Sequence, residues 1–231
     1  MRIVLDPGHG GTDPGAGVGA YAIEKDVTLV IATRLATLLR ARMGADVVLT
    51  RTEDTSLELH DRTARANTEH ADLFVSIHGN SSPNGDLQGV ETYYLNNTDD
   101  RASIRLAAME NALDLLHPGD GKQTDLRYIL SDMIQVGKME QSILLARGIQ
   151  RGLVRTLRTD YRDVHDLGVK KGPFYVLVGA YMPCVLVEVA FLNHPIEGPR
   201  LASAEYQELV AQGLYAGIAQ YLGPSARHRT L

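Results

Sequence analysis

Residues 3–5, Ile-Val-Leu, are apolar and β-prone, and they run directly into Asp6-Pro7-Gly8, which ends a strand. His9 follows between glycines, and residues 25–42 then carry Val27, Ile31, Leu35 and Leu38/Leu39 on one helical stripe that Gly44 stops. A strand, a glycine turn and an amphipathic helix in that order open a parallel α/β unit, and few other folds accept them. An imidazole on such a turn, at a strand's C-terminal end, faces the crevice above the sheet. With glycine on both sides, a metal ion or substrate can approach it closely.

The same alternation continues along the chain. Strands are expected near 2–5, 46–50, 73–78, 89–95, 174–178 and 185–190. Helices are expected over 25–42, 61–70, 101–116, 140–158 and about 204–222, the last ended by Gly223-Pro224. The fold class is therefore α/β: a single domain with a mostly parallel sheet of about six strands flanked by helices. With 231 residues and 44% hydrophobic side chains, one large domain can bury a full core. Residues 1–222 form that domain, residues 223–231 a loose tail. The least regular part is 117–142, where the polar loop HPGDGKQTD precedes the shorter apolar segment RYILSDMIQV; it reads as a regulatory or lid segment at the rim of the site.

A formal net charge of -5 argues against binding nucleic acid through a basic face. No run reaches the roughly 20 apolar residues that span a bilayer. No signal peptide precedes the first strand, so either the chain is not exported by that route or a leader lies upstream of the sequence given. The one cysteine, Cys184 in PCVLVEV, reads as a small apolar core residue and leaves the redox compartment open.

Catalytic zinc takes three protein ligands and leaves a position for water. His9 and His78 (in SIHGN) each end a strand, so both fall on one edge of a parallel sheet. Glu24 (in IEKD) begins the helix after the first strand, close to the end of that strand. The three can converge on one zinc ion per chain. Zinc-bound water is acidified to a pKa of about 7, and a nearby carboxylate can pass its proton to a departing amine. Glu188 fits that role, because in the apolar run Val185–Val189 a charge is costly unless used or paired.

Blander readings stand beside these. Glu24 suits a first helical turn, where the dipole favours acids. Glu188 could be a buried ion-pair partner of Arg51. His60, His70, His117, His165, His194 and His228 read as ordinary surface or core residues, with His165, in a loop before a strand, the best placed to reach substrate. The glycines at 8, 10, 11, 15 and 17 do not match a phosphate loop, which needs GxxxxGK[ST]. Lys170-Lys171 and the tail RHR read as solvated charge.

The segments LDPGHGGTDPGA, EKDVTLVIATRL, LTRTEDTSLELHDRTARAN, ADLFVSIHGN, GVETYYL and VLVEVAFLNHPIE resemble, in order and from Arg2 to about Leu222, the zinc-dependent N-acetylmuramoyl-L-alanine amidases of the Amidase_3 type. That family includes bacterial cell-wall amidases and phage endolysin domains. The resemblance implies a twisted, mostly parallel sheet of about six strands and hydrolysis of the amide joining the lactyl group of N-acetylmuramic acid to L-alanine of the stem peptide. It places the zinc ligands on His9, Glu24 and His78, the catalytic glutamate on Glu188, and a substrate-orienting asparagine on Asn80. HGN, where many members have alanine between the histidine and the asparagine, and NHP, in the turn after the catalytic strand, are departures that touch no ligand.

The resemblance further implies peptidoglycan as partner, with its stem peptide and muramic acid, and a periplasmic, extracellular or cell-wall location. Some members carry a helix that places a carboxylate on the zinc until an activator protein removes it. A similar device is expected over 110–142, with Glu110 and Glu140 as inhibitory ligands; deleting 117–139 should then raise activity. The alternatives are a zinc hydrolase of another amide and a catalytically silent regulator that binds peptidoglycan. The latter is disfavoured because all three ligands and the glutamate are present.

Overall fold

The computed structural model describes residues 1–17, 21–112 and 138–223. In chain order the elements are β1 (Arg2–Pro7), α1 (Glu24–Met43), β2 (Asp46–Leu49), α2 (Leu59–Thr68), β3 (Leu73–Asn80), β4 (Val90–Leu95), α3 (Arg101–Glu110), α4 (Met139–Leu157), β5 (Asp166–Gly172), a 3-10 turn (Tyr175–Leu177), β6 (Cys184–Phe191), α5 (Glu197–Leu201) and α6 (Ala204–Leu222). The strands form one sheet in the order β2-β1-β3-β6-β4-β5. The first four run parallel, β4 is antiparallel to β6, and β5 is parallel to β4.

The central strands β3 and β6 are buried at every residue, as expected where helices cover both faces of a sheet. Alternate side chains serve two cores. Ile3, Leu5, Val75, Ile77, Val185 and Val187 pack with Ile31 and Leu35 of α1, Leu145 and Ile149 of α4, and Leu214 of α6. On the other face Val4, Phe74, Leu186 and Tyr93 pack with Leu59 and Ala66 of α2, Leu106 and Ala107 of α3, and Phe174. Cys184 sits in this second core, fully buried, as its apolar surroundings predict. Gly44 ends α1 in the left-handed conformation, φ 60°.

One expected strand is misplaced. Residues 174–178 hold a 3-10 turn buried under α2, and the sixth strand is Asp166–Gly172. Phe174, Val176 and Leu177 fill the second core as a turn. DLGVKKG lies at the sheet edge with most residues half exposed, so it lacks the apolar run of a buried strand. Gly168, at φ 82°, lies where the β4–β5 register shifts. The short helix α5 was also not expected. The expected helix 101–116 is described to Glu110; its remainder beyond 112, most of 117–142, and residues 224–231 lie outside the described residues.

Candidate active site

β1 and β3 are parallel neighbours, so the turn after β1 and the end of β3 meet at one edge. His9 stands on that turn with φ 61°, a left-handed conformation that a non-glycine residue holds only where its surroundings enforce it. Two buried guanidinium groups do so. Arg51 donates to the carbonyls of Pro7, Gly8 and Lys25, and Arg62 donates to those of Pro7, His9 and Leu57. Arg51 is thus occupied by backbone carbonyls, and no ion pair joins it to Glu188 among the described residues. At Gly8 any Cβ would stand 2.5 Å from the His78 ring, so only glycine lets that ring lie against the turn.

The imidazoles of His9 and His78 meet edge to face, centroids 4.9 Å apart. His9 Nδ1 lies 2.6 Å from Asp13 Oδ2, which places the proton on Nδ1 and turns the Nε2 lone pair inward. His78 Nε2 lies 3.1 Å from Ser76 Oγ, and that hydroxyl donates to Asp6 Oδ2 at 2.7 Å. Asp6 is fully buried and also accepts from Thr50 and Arg62. Burial alone would raise its carboxyl, but the Arg62 charge holds it below the ordinary range. His78 therefore presents Nδ1 to the same space as His9 Nε2.

Two carboxylates complete the cluster. Glu24, at the first position of α1, is 1% exposed; its Oε1 accepts from Gly79 N and its Oε2 from Ala16 N. Glu110, the last residue of α3, brings Oε2 to 2.9 Å from His78 Nδ1 and 3.4 Å from His9 Nε2. Glu24 Oε1 lies 2.9 Å from His9 Nε2 and 3.2 Å from His78 Nδ1. Among these atoms His9 Nε2, His78 Nδ1 and Glu110 Oε2 are buried yet make no hydrogen bond of acceptable geometry. They crowd one another without meeting hydrogen-bond geometry, as donor atoms gathered around a common centre do.

The spacing fits a metal ion. One donor atom from each of His9, Glu24, His78 and Glu110 lies within 4.8 Å of the others. A tetrahedral set of donors 2.0–2.1 Å from zinc has its atoms about 3.3 Å apart, close to the 2.9–3.4 Å found here. Charge agrees as well. Burial by itself lowers the His78 imidazole, but Glu110 overrides it and raises it to about 10; burial likewise opposes, and Glu24 and Glu110 overcome it, at His9. Burial would raise Glu24, but the His9 charge holds it down at about 2, and His78 and His9 depress Glu110 in the same way. Two protons thus balance two carboxylates, and a divalent cation can replace those protons with no change in net charge.

Glu188 is the β6 register partner of His78 and projects from the same face. It is fully buried, and neither carboxylate oxygen has a hydrogen-bond partner. Burial, then the Glu110 charge, raises it well above the ordinary carboxylate range. On its other side its register partner is Glu91 of β4. Glu91 is saturated: Oε1 accepts from Asn80 Nδ2 at 2.7 Å and from Tyr93 OH at 2.9 Å, and Oε2 pairs with Lys170 Nζ at 2.5 Å. Lys170, expected as solvated charge, is thus the counter-ion of a buried carboxylate. Asn80 lines a cavity of about 180 Å³ with Glu91, Tyr93, Met109, Lys170 and Phe191.

The remaining sequence candidates stand elsewhere. Glu140 lies exposed in the first turn of α4 and joins no ligand group among the described residues, because α4 begins at the opposite end of the sheet, where Ser142 Oγ accepts from the Cys184 N–H that opens β6. His165 is exposed at the start of β5, beside Gln88. Nδ1 of His194 accepts the backbone N–H groups of Ile196 and Glu197 and so caps α5. His117 and His228 lie outside the described residues.

A family model described as N-acetylmuramoyl-L-alanine amidase, Amidase_3, matches residues 3–220. The chain belongs to this amidase family. It is 36% identical over 230 residues to N-acetylmuramoyl-L-alanine amidase AmiC of Escherichia coli O6:H1, a match covering 97% of this chain and 53% of that protein. The chain thus spans about half the length of that relative. Among solved structures, N-acetylmuramoyl-L-alanine amidase AmiC2 of Nostoc punctiforme superposes with a TM-score of 0.69 at 32% identity, over 96% of this chain and 97% of that one. The CwlD amidase from Clostridioides difficile, solved in complex with the GerS lipoprotein, gives a TM-score of 0.70 at 26% identity over 96% of this chain and 98% of that one. The amidase family is one of peptidoglycan hydrolases, and its α/β architecture is the one described above.

Proposed function

We propose that this chain hydrolyses the amide bond between N-acetylmuramic acid and the L-alanine of the stem peptide in peptidoglycan. The observation that carries the reading is the convergence of His9, Glu24 and His78 lone pairs beside a buried, unpartnered Glu188 at one strand edge. These three residues would hold one Zn²⁺. Zinc bound there supplies an acidified water and an electrophile for the scissile carbonyl. Glu188 takes the proton of the attacking water and delivers it to the departing alanine nitrogen. Burial, which raises its proton affinity above that of an ordinary carboxylate, suits a group that must accept a proton before donating it. Asn80 and its neighbours shape the wall against which substrate is held.

Glu110 Oε2 gathers with the donor atoms of His9, Glu24 and His78 as a fourth candidate ligand, and a catalytic zinc held by the other three would need one position left for water. The Glu110 carboxylate also sits at the C-terminal end of α3, the end at which the helix dipole disfavours a negative charge. We read this as an inhibited state, relieved when a protein partner draws α3 away. The CwlD–GerS complex is a precedent for a protein bound to an amidase of this family. In this reading residues 1–222 are the catalytic domain and 117–142 its regulatory segment. The site of action is the periplasm or cell wall, where the polymer is; no helix among the described residues is long and apolar enough to cross a membrane.

The deciding experiment measures metal content together with stem-peptide release from purified peptidoglycan, with and without chelator. One zinc per chain and chelator-sensitive release exposing a new L-alanine amino terminus are expected. Absence of zinc, or release at another bond, would overturn the reading.

A further inference from the structure

Helix α4 carries Arg147, Arg151 and Arg155 at four-residue spacing, with Arg158 just past its end, and all four are exposed. Residues four apart lie on one face of a helix, where like charges repel by a few tenths of a kcal/mol per pair. Relief by neighbouring acids is absent: Arg147, Arg151 and Arg155 have no ion pair among the described residues, and the only acid of α4 is Glu140, in its first turn. Arg151, Arg155 and Arg158 line a hollow of about 420 Å³ with Val154, Thr159 and Asp166. Arg158 is fixed by donating to the Val164 carbonyl, and Asp166 accepts through Oδ1 from Gln150 Nε2 and the Gly168 N–H. Two guanidinium groups remain open to an incoming anion.

The position of the hollow suggests its occupant. Asp166 begins β5 and is the register partner of Val90; the next residue of β4, Glu91, pairs with Glu188. The hollow therefore lies at the active-site end of the sheet, two strands outward from Glu188 but on the opposite face, the one α4 covers, within reach only of a polymer that extends past the β5 edge. Net charge makes the same demand. A chain of net charge -5 is repelled by an anionic polymer unless it offers a local cationic surface.

We propose that this arginine-lined hollow is a docking surface for polymeric peptidoglycan. It engages carboxylates of a stem peptide beyond the one being cleaved, through the guanidinium–carboxylate pairing that arginine favours. The proposal rests on the amidase reading for the identity of the polymer, but docking is measured apart from catalysis.

The test is cosedimentation of the full chain with purified peptidoglycan stripped of phosphate-containing polymers, comparing wild type with the double variant Arg151→Ala/Arg155→Ala. Binding by the variant should be about tenfold weaker at low salt, and the difference should vanish near ~0.5 M salt. Hydrolysis of a small soluble muropeptide should be equal in both proteins. Equal cosedimentation of the two would overturn the proposal. So would loss of wild-type binding once the phosphate polymers are stripped, since the ligand would then be phosphate. Failure of the amidase reading would show separately, as no muropeptide hydrolysis by either protein.

Discussion

Glu110 Oε2 lies 2.9 Å from His78 Nδ1, a helix-end carboxylate set against a strand-end imidazole with no hydrogen bond between them. Such a contact is unfavourable for both groups unless a cation or a proton lies between them, and it links α3 to the centre of the sheet.

If Glu110 fills the place of the reactive water, Glu110→Ala should raise turnover of soluble muropeptide by about tenfold or more with zinc still bound. Steady-state kinetics at saturating zinc measures this. Lower or unchanged kcat with full metal content would show that Glu110 is not inhibitory.

Glu188→Gln removes the proton carrier and leaves His9, Glu24 and His78 in place. It should retain about one zinc per chain and lose roughly 10²–10⁴ of kcat, the usual scale for a lost acid–base group. The variant should also fold well, since it replaces a buried carboxyl lacking any hydrogen-bond partner. Retention of most activity would remove Glu188 from the mechanism.

Ser76→Ala breaks the chain from Asp6 through Ser76 to His78 Nε2, freeing the ring to turn. Zinc affinity, read by competition with a chromogenic chelator, should fall about 10–100-fold, as when other outer partners of ligand histidines are lost. An unchanged affinity would mean that packing alone orients His78.

In the metal-free protein His78 is raised from 6.5 to about 10. A raised folded-state value means that the proton stabilises the fold, fully below about pH 6.5 and progressively less up to about pH 10. Chelated protein should therefore lose thermal stability across that window, whereas zinc-loaded protein, whose imidazoles are already deprotonated, should not. Zinc binding near pH 7 should also release protons, detectable by calorimetry in buffers of different ionisation heat. A pH-independent Tm for the chelated protein would contradict the geometry around Glu110.

Much of the site was legible because its residues sit at local punctuation. His9 on the glycine turn, Glu24 at a helix start, and His78 and Glu188 inside apolar strands each break a local pattern, and such breaks show in the sequence itself. Glu110 could be named only as one of two acids flanking an irregular stretch, and the other, Glu140, is exposed on α4. Asp13 left a weak signal, an acid four residues after His9. Ser76, Asp6 and the Glu91–Lys170 pair left none, since polar residues within strands read as ordinary alternation.

The sequence by itself determined the α/β alternation, the parallel core strands and the residue types gathered at their ends, because hydrophobic period, glycine turns and helix stops are local properties. Only the tertiary structure decided which strand lies beside which. That choice makes His78 the neighbour of Glu188 and Glu188 the neighbour of Glu91. It also made DLGVKKG an edge strand and buried the apolar 174–178 as a turn. It set the end of α3 over His9 and His78, and it left a row of arginines at the rim of the sheet. These depend on contacts between segments distant in sequence, where packing and charge pairing act and local propensity carries no information.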